Sequence, residues 1–191
     1  MIRLQERDRR AFDELVERYQ GSLFGFFYAN TRDRQLAEDL TQDTLLKVFD
    51  QAWDYVPSGR FRGWLFRIAR NLMIDAVRRH SRDALIKALP AAEGDDDPLA
   101  TVVGDLVGPA DEANQHELSA IVDRLLSELP EEQRLTFSLH HFSELGLPEI
   151  SRILDTNLST SKSRLRLARE KLQSRMADFG ITGASFGVED E

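Results

Sequence analysis

Residues 61–79 read FRGWLFRIARNLMIDAVRR. Trp64, Leu65, Ile68, Ala69, Leu72, Met73 and Ala76 recur at helical spacing, which predicts one buried face. Arginine dominates the rest. From Arg60 to Arg82 seven Arg oppose one acid, Asp75, a local balance of +6 in a chain of net charge −8. Phe61, Trp64 and Phe66 stand at the entrance of this helix. Cations for phosphate beside flat rings for unstacked bases are what single-stranded nucleic acid requires. An amphipathic core helix with a solvated charged face has the same pattern, and the rest of the chain decides between them.

The remaining charge is also segregated. Asp83 to Leu118 holds nine acids and one Lys, whereas Ser159 to Met176 holds six Lys or Arg and one Glu. Two basic helices therefore flank an acidic connector, and these local balances override the objection that an acidic protein avoids nucleic acid. The 191 residues suffice for one domain or two small ones, and 41% hydrophobic content suits an ordinary core. Without cysteine there are no disulfides or thiolate metal sites. The longest apolar run, Leu23 to Ala29, is too short to span a bilayer, and the N-terminus has no signal-peptide core. The expected location is the cytoplasm, with no direct membrane insertion.

Phe12, Leu15, Val16, Tyr19, Leu23, Phe24 and Phe27 predict a helix over 8–28. A second is predicted over 33–53, with Leu36, Leu40, Leu45, Val48, Phe49, Ala52 and Trp53 inward. Pro57-Ser58-Gly59 then breaks the chain before the arginine helix. Residues 1–82 thus form a helical domain, 83–116 an acidic, Pro- and Gly-containing flexible linker, 117–177 a second helical domain and 178–191 a tail. In the second domain Leu118 to Leu126 is periodic, and Pro130-Glu131-Glu132 opens a helix that Gly146 ends. A short helix from Pro148, the turn Asp155-Thr156-Asn157 and a basic helix capped by Ser159 or Thr160 make a helix-turn-helix. The fold class is all-α, two small helical domains joined by a linker.

At these residues the chain resembles the extracytoplasmic-function sigma factors, the smallest type in the sigma-70 family of bacterial transcription initiation subunits. AFDELVERY (11–19), AEDLTQDTLLKVF (37–49), FRGWLFRIARNLMIDAVRR (61–79), LPEEQR (129–134) and SKSRLRLAREKL (161–172) occur in the family's order and spacing. The resemblance covers all but the linker and tail. It implies a three- or four-helix domain that binds the promoter −10 element and a helix-turn-helix domain for the −35 element. It also implies docking of Asp39, Gln42, Asp43 and Lys47 on the coiled coil of the largest subunit of core RNA polymerase.

Extruding a base costs a few kcal/mol, which a stacking and hydrogen-bonding pocket offsets. The loop from Val56 to Phe61, with Arg60, is the candidate pocket, with Trp64 at its edge. Asn71 and Asp75 suit base edges, and Arg78 and Arg79 suit phosphates. In the second domain Lys162, Ser163 and Arg166 share a face and suit base edges, while Thr160, Arg164 and Arg169 are placed for the DNA backbone. Ser159-Thr160-Ser161 replaces the family's Gly-Thr-Val, and Leu167 replaces a frequent Arg, so no conventional −35 sequence is assumed. Family linkers thread toward the active-site channel, a role that falls on Asp95, Asp96 and Asp97. Free protein is expected to be held inactive by domain packing or by an anti-sigma factor.

A stand-alone helix-turn-helix regulator explains residues 117–176 and leaves the first domain without a purpose. His140 and Glu144 have the i, i+4 spacing of a metal pair but no surrounding HExxH pattern. With no phosphate loop, nucleophile elbow or paired carboxylates, neither enzymatic activity nor a cofactor is expected.

Overall fold

The computed structural model describes residues 1–6, 8–56, 59–83 and 112–179. Among them are eight α-helices, one short 3-10 turn and no strand, arranged as two small helical domains. The first domain contains α1 (Ile2–Gln5), α2 (Arg9–Thr31), α3 (Arg34–Asp50), the turn Ala52–Asp54 and α4 (Phe61–Asp83). Pro57-Ser58, the acidic linker with Asp95 to Asp97, and the tail beyond 179 lie outside the described residues.

Capping sets the helix starts. Asp8 accepts a hydrogen bond from Arg10 N, and Asp33 accepts one from Leu36 N, each satisfying a donor that a helix start leaves unpaired. α2 ends where Arg32 turns left-handed, at φ 56°. Leu23, Phe26, Phe27, Val48, Leu65 and Phe66 fill the core, with Phe26 and Phe66 edge to face at 5.7 Å. Thr41 and Thr44, also buried, return their hydroxyl protons to the carbonyls of Ala37 and Leu40.

Three side chains depart from the expected faces. Phe66 is 1% exposed and belongs to the core, so it offers no ring to a base. Phe49 and Trp53, expected inward, are 41% and 74% exposed. For Trp53 the physical reason is that α3 ends at Asp50 and the tighter turn after it rotates the side chain off the buried face, whereas Phe49, still within α3, packs edge to face on Phe12 at 5.1 Å.

The second domain contains α5 (Glu112–Ser127), α6 (Glu131–Ser143), α7 (Leu147–Ile153) and α8 (Leu158–Asp178). α5 begins inside the segment read as linker, because polar helix formers carry its first turn without apolar periodicity. Glu144, at φ 53°, ends α6, and Gly146 instead precedes the first residue of α7. Asn157 caps α8 by accepting from Thr160 N at 2.7 Å, the role expected of Ser159 or Thr160. Asn reaches this donor from the residue before the helix, whereas Ser159 and Thr160 already lie within its first turn.

The domains pack on one another. α2 lies against α6, with Phe142 seated on Gly25, and Asn30 Nδ2 donates to Ser138 Oγ at 2.8 Å. Arg32 grips Asp123 at 2.6 Å, and Arg62 of α4 pairs with Glu144. α7 lies beside the first turns of α4, where Glu149 sits over Gly63.

Candidate nucleic-acid interface

On α4 the buried side is Leu65, Ile68, Ala69, Met73 and Ala76. Helical periodicity places Arg60, Trp64, Arg67, Asn71, Asp75 and Arg78 in one stripe on another side. Trp64 is half-buried and the others are exposed, and Arg79 lies at the stripe's edge, its Nε donating to the Asp75 carbonyl at 3.3 Å. Arg67 is the member that sequence reasoning passed over. Its i+3 spacing from Trp64 and i−4 spacing from Asn71 was the available signal.

At the N-terminal end of this stripe the rings converge. Phe61 lies 5.4 Å from Tyr19, 5.8 Å from Tyr55 and 5.9 Å from Trp64, and Tyr55 and Trp64 are 4.9 Å apart. Phe61 and Trp64 are both half-buried, so each ring has core contacts and a part that reaches the surface. Tyr19, from α2, reads as part of that helix's core pattern, and Tyr55, just after the 3-10 turn, stands outside every periodic run that the sequence offers. A cleft of about 410 Å³ runs along the stripe between Arg60, Trp64 and Arg67 on one side and Glu149, Arg152 and Ile153 of α7 on the other. Arg62, outside the stripe, pairs with Glu144, whose hydrogen bond raises the guanidinium pKa above its ordinary value.

On α8 the core side is Ser161, Leu165, Ala168, Leu172 and Met176. Lys162, Ser163, Arg166 and Leu167 are exposed on the outer side, and Thr160 and Arg169 are half-buried. Arg166 Nη1 holds Glu170 Oε1 at 2.6 Å. Arg164, expected on the DNA backbone, is half-buried and pairs with Glu132 of α6. It faces back because its position on the helix, one residue before Leu165, borders the buried side.

The third surface is α3. Asp39, Gln42, Asp43 and Lys47 are all exposed, and Leu46, 56% exposed, stands among them. Phe49 and Trp53 extend this apolar element toward Val56. Phe49 also rests its ring edge to face against Phe12 at 5.1 Å. Sequence reading assigned Phe49 and Trp53 to the core, since periodicity does not say what covers a face.

His140 and His141 are half-buried, His141 lying between the rings of Phe137 and Phe142, and no cluster of metal-ligating side chains exists among the described residues. Burial, followed by the charge of Arg169, lowers the His140 pKa. No described helix is long and apolar enough to cross a membrane.

Two helical modules each present a basic helix face. Residues 15–83 match Sigma-70 region 2 and residues 119–172 match Sigma-70, region 4. The chain is 31% identical to the ECF RNA polymerase sigma factor SigM of Bacillus subtilis, covering 85% of this chain and 93% of that protein. It is 29% identical to SigW of the same organism, with 92% and 94% covered. The fold resembles the sigma factor RpoE of Bartonella quintana, solved with the anti-sigma factor NepR, at TM-score 0.66 and 22% identity over 88% of this chain and 98% of that one. It also resembles CnrH, solved with the cytosolic domain of CnrY, at TM-score 0.62 and 22% identity over 93% and 94%. This chain belongs to the extracytoplasmic-function RNA polymerase sigma factors of the sigma-70 family. It is a transcription initiation factor and not an enzyme.

Proposed function

We propose that the α4 stripe reads the −10 element as single-stranded DNA, and that base capture at its aromatic end promotes melting. The observation that carries this reading is the continuity of one helix face. Arg60, Arg67, Arg78 and Arg79 offer phosphate partners along it, Asn71 and Asp75 offer donors and acceptors for base edges, and Phe61 and Trp64 offer rings. Stacking is worth about 1–3 kcal/mol per base, enough to offset much of the cost of extrusion. Leading with its N-terminal turns, α8 enters the major groove of the −35 element, with Lys162, Ser163 and Arg166 at base edges and Thr160 and Arg169 toward the backbone. The α3 surface, Asp39, Gln42, Asp43 and Lys47 around Leu46, docks on the coiled coil of the largest subunit of core polymerase. The protein works in the cytoplasm and is restrained by an anti-sigma factor, as the RpoE and CnrH complexes suggest.

The test is co-purification with core RNA polymerase, scored with run-off transcription from a genomic promoter library. Stable association and promoter-specific transcripts are expected. Duplex binding without polymerase association would overturn the reading in favour of a stand-alone regulator.

A further inference from the structure

The short helix α1 precedes residues 15–83, the part that matches region 2. Leu4 anchors it in the core at 3% exposure, and Arg3 is held by Asp8 and Glu14. Its last residue, Gln5, reaches across to the other side of the domain. There Gln5 Nε2 donates to the carbonyl of Ala52 at 2.8 Å and to that of Tyr55 at 2.9 Å.

Those two carbonyls bracket the 3-10 turn that ends where the candidate capture loop begins. The Ala52 carbonyl also accepts from Tyr55 N–H at 3.2 Å, closing the turn, and the Gln5 amide adds a second donor to it and one to the Tyr55 carbonyl. Val56, the next residue, is 77% exposed. Tyr55, by contrast, is 8% exposed and packs on both Phe61 and Trp64. The clamp therefore fixes the backbone that carries Tyr55, the ring against which Phe61 and Trp64 of α4 pack. α1 also walls a cleft of about 950 Å³ whose opposite side is formed by Tyr19, Tyr55 and Phe61.

We propose that Gln5 is a positioning residue for base capture: by tying α1 to the Ala52 and Tyr55 carbonyls it holds the Tyr55–Phe61–Trp64 cluster in the geometry that selects the extruded base. This rests on the −10 reading above. Gln5 touches no DNA in this scheme and acts through the peptide it clamps.

The test uses the full chain assembled with core polymerase and a randomised single-stranded oligonucleotide pool, with the bound fraction sequenced. Wild-type protein is expected to enrich one base at one position. Gln5→Glu keeps the side-chain size but aims carboxylate oxygens at two carbonyls, and Gln5→Met keeps the length without a donor. Each should lower that enrichment about tenfold, as loss of two hydrogen bonds implies. Preferences at other positions, core-polymerase affinity and −35 duplex affinity should stay unchanged, while the unfolding midpoint falls slightly with the two lost hydrogen bonds. A uniform fall in these preferences and affinities makes Gln5 merely structural and overturns the proposal. Unchanged enrichment in both variants, with enrichment lost in Phe61→Ala, overturns the positioning role and leaves base capture standing. If the wild-type protein enriches no base, base capture itself fails and the proposal falls with it.

Discussion

Phe142 of α6 packs on α2 at Gly25 so closely that a methyl group there would lie 2.7 Å from the ring carbon Cδ1. Phe142 is 7% exposed, so its ring has little room to move aside. A mid-helix glycine costs about 1 kcal/mol relative to alanine, and here it leaves space for the other domain. Gly21, one turn earlier, has nothing near its missing side chain. The contrast isolates close approach as the structural role of Gly25.

Gly25→Ala is therefore expected to strengthen α2 locally while forcing the domains apart. Overpacking of this kind costs about 1–3 kcal/mol. Small-angle scattering of the free protein should show a larger radius of gyration for this variant than for wild type, and Gly21→Ala should show no change. Identical profiles for all three would mean that the packing of Phe142 on Gly25 does not hold the free protein compact.

The turn of the helix-turn-helix places Asp155 at φ 53°, a region Asp tolerates and β-branched residues do not. Asp155→Val should destabilise the second domain by about 1–2 kcal/mol, whereas Asp155→Gly should be neutral or slightly stabilising. Urea unfolding followed by circular dichroism measures both. Equal midpoints for the two variants would remove backbone strain as the reason.

Arg166 and Arg67 should fail differently. Arg166→Ala is expected to cost about 1–3 kcal/mol of discrimination at one base pair of the −35 element. Arg67→Ala should weaken −10 binding alike for all sequences and reduce the salt slope by about one. Affinity measured over a salt series on matched and mismatched promoters separates them. A sequence-selective loss on Arg67→Ala would reassign that side chain to base reading.

His140 sets a pH dependence. Its folded pKa lies below the ordinary 6.5 because burial, and then Arg169 and His141, oppose the charged form. The unfolded chain therefore binds a proton more readily, and stability rises with pH across this range. The contribution is complete above about 6.5 and is lost as pH falls through the depressed value. Glu128, held below the usual carboxylate range by Arg175, adds a loss at lower pH still. His140→Gln should flatten the unfolding profile just below pH 6.5 and leave the carboxylate part intact. A wild-type slope retained in His140→Gln would assign the effect to other groups.

Periodicity made the helices legible, from Leu15 and Leu23 in α2 to Leu165 and Leu172 in α8, because each buries one repeating face. It failed where a repeating apolar residue faces outward. Trp53 keeps helical spacing with the core but lies on the surface because α3 ends at Asp50, and Phe49, inside α3, is 41% exposed with its ring against Phe12. Phe66 failed in the opposite sense, since a ring among arginines suggested stacking on bases whereas Phe26 occupies it. Arg164, placed by spacing for the DNA backbone, also pairs with Glu132, a partner that spacing does not reveal. Arg67 was readable but overlooked.

Composition and order along the chain, taken alone, determined an all-α protein of two modules with basic helices in each, because helical spacing and charge segregation are local properties of the chain. Tertiary structure alone decided which arginines remain open and what holds the site. Arg62 is taken by Glu144, Gly25 admits Phe142, and Gln5 clamps Ala52 and Tyr55. Each pairing joins residues dozens of positions apart, and neither periodicity nor charge says which distant partner will arrive within hydrogen-bonding or van der Waals range. Only the packing of helix on helix settles that.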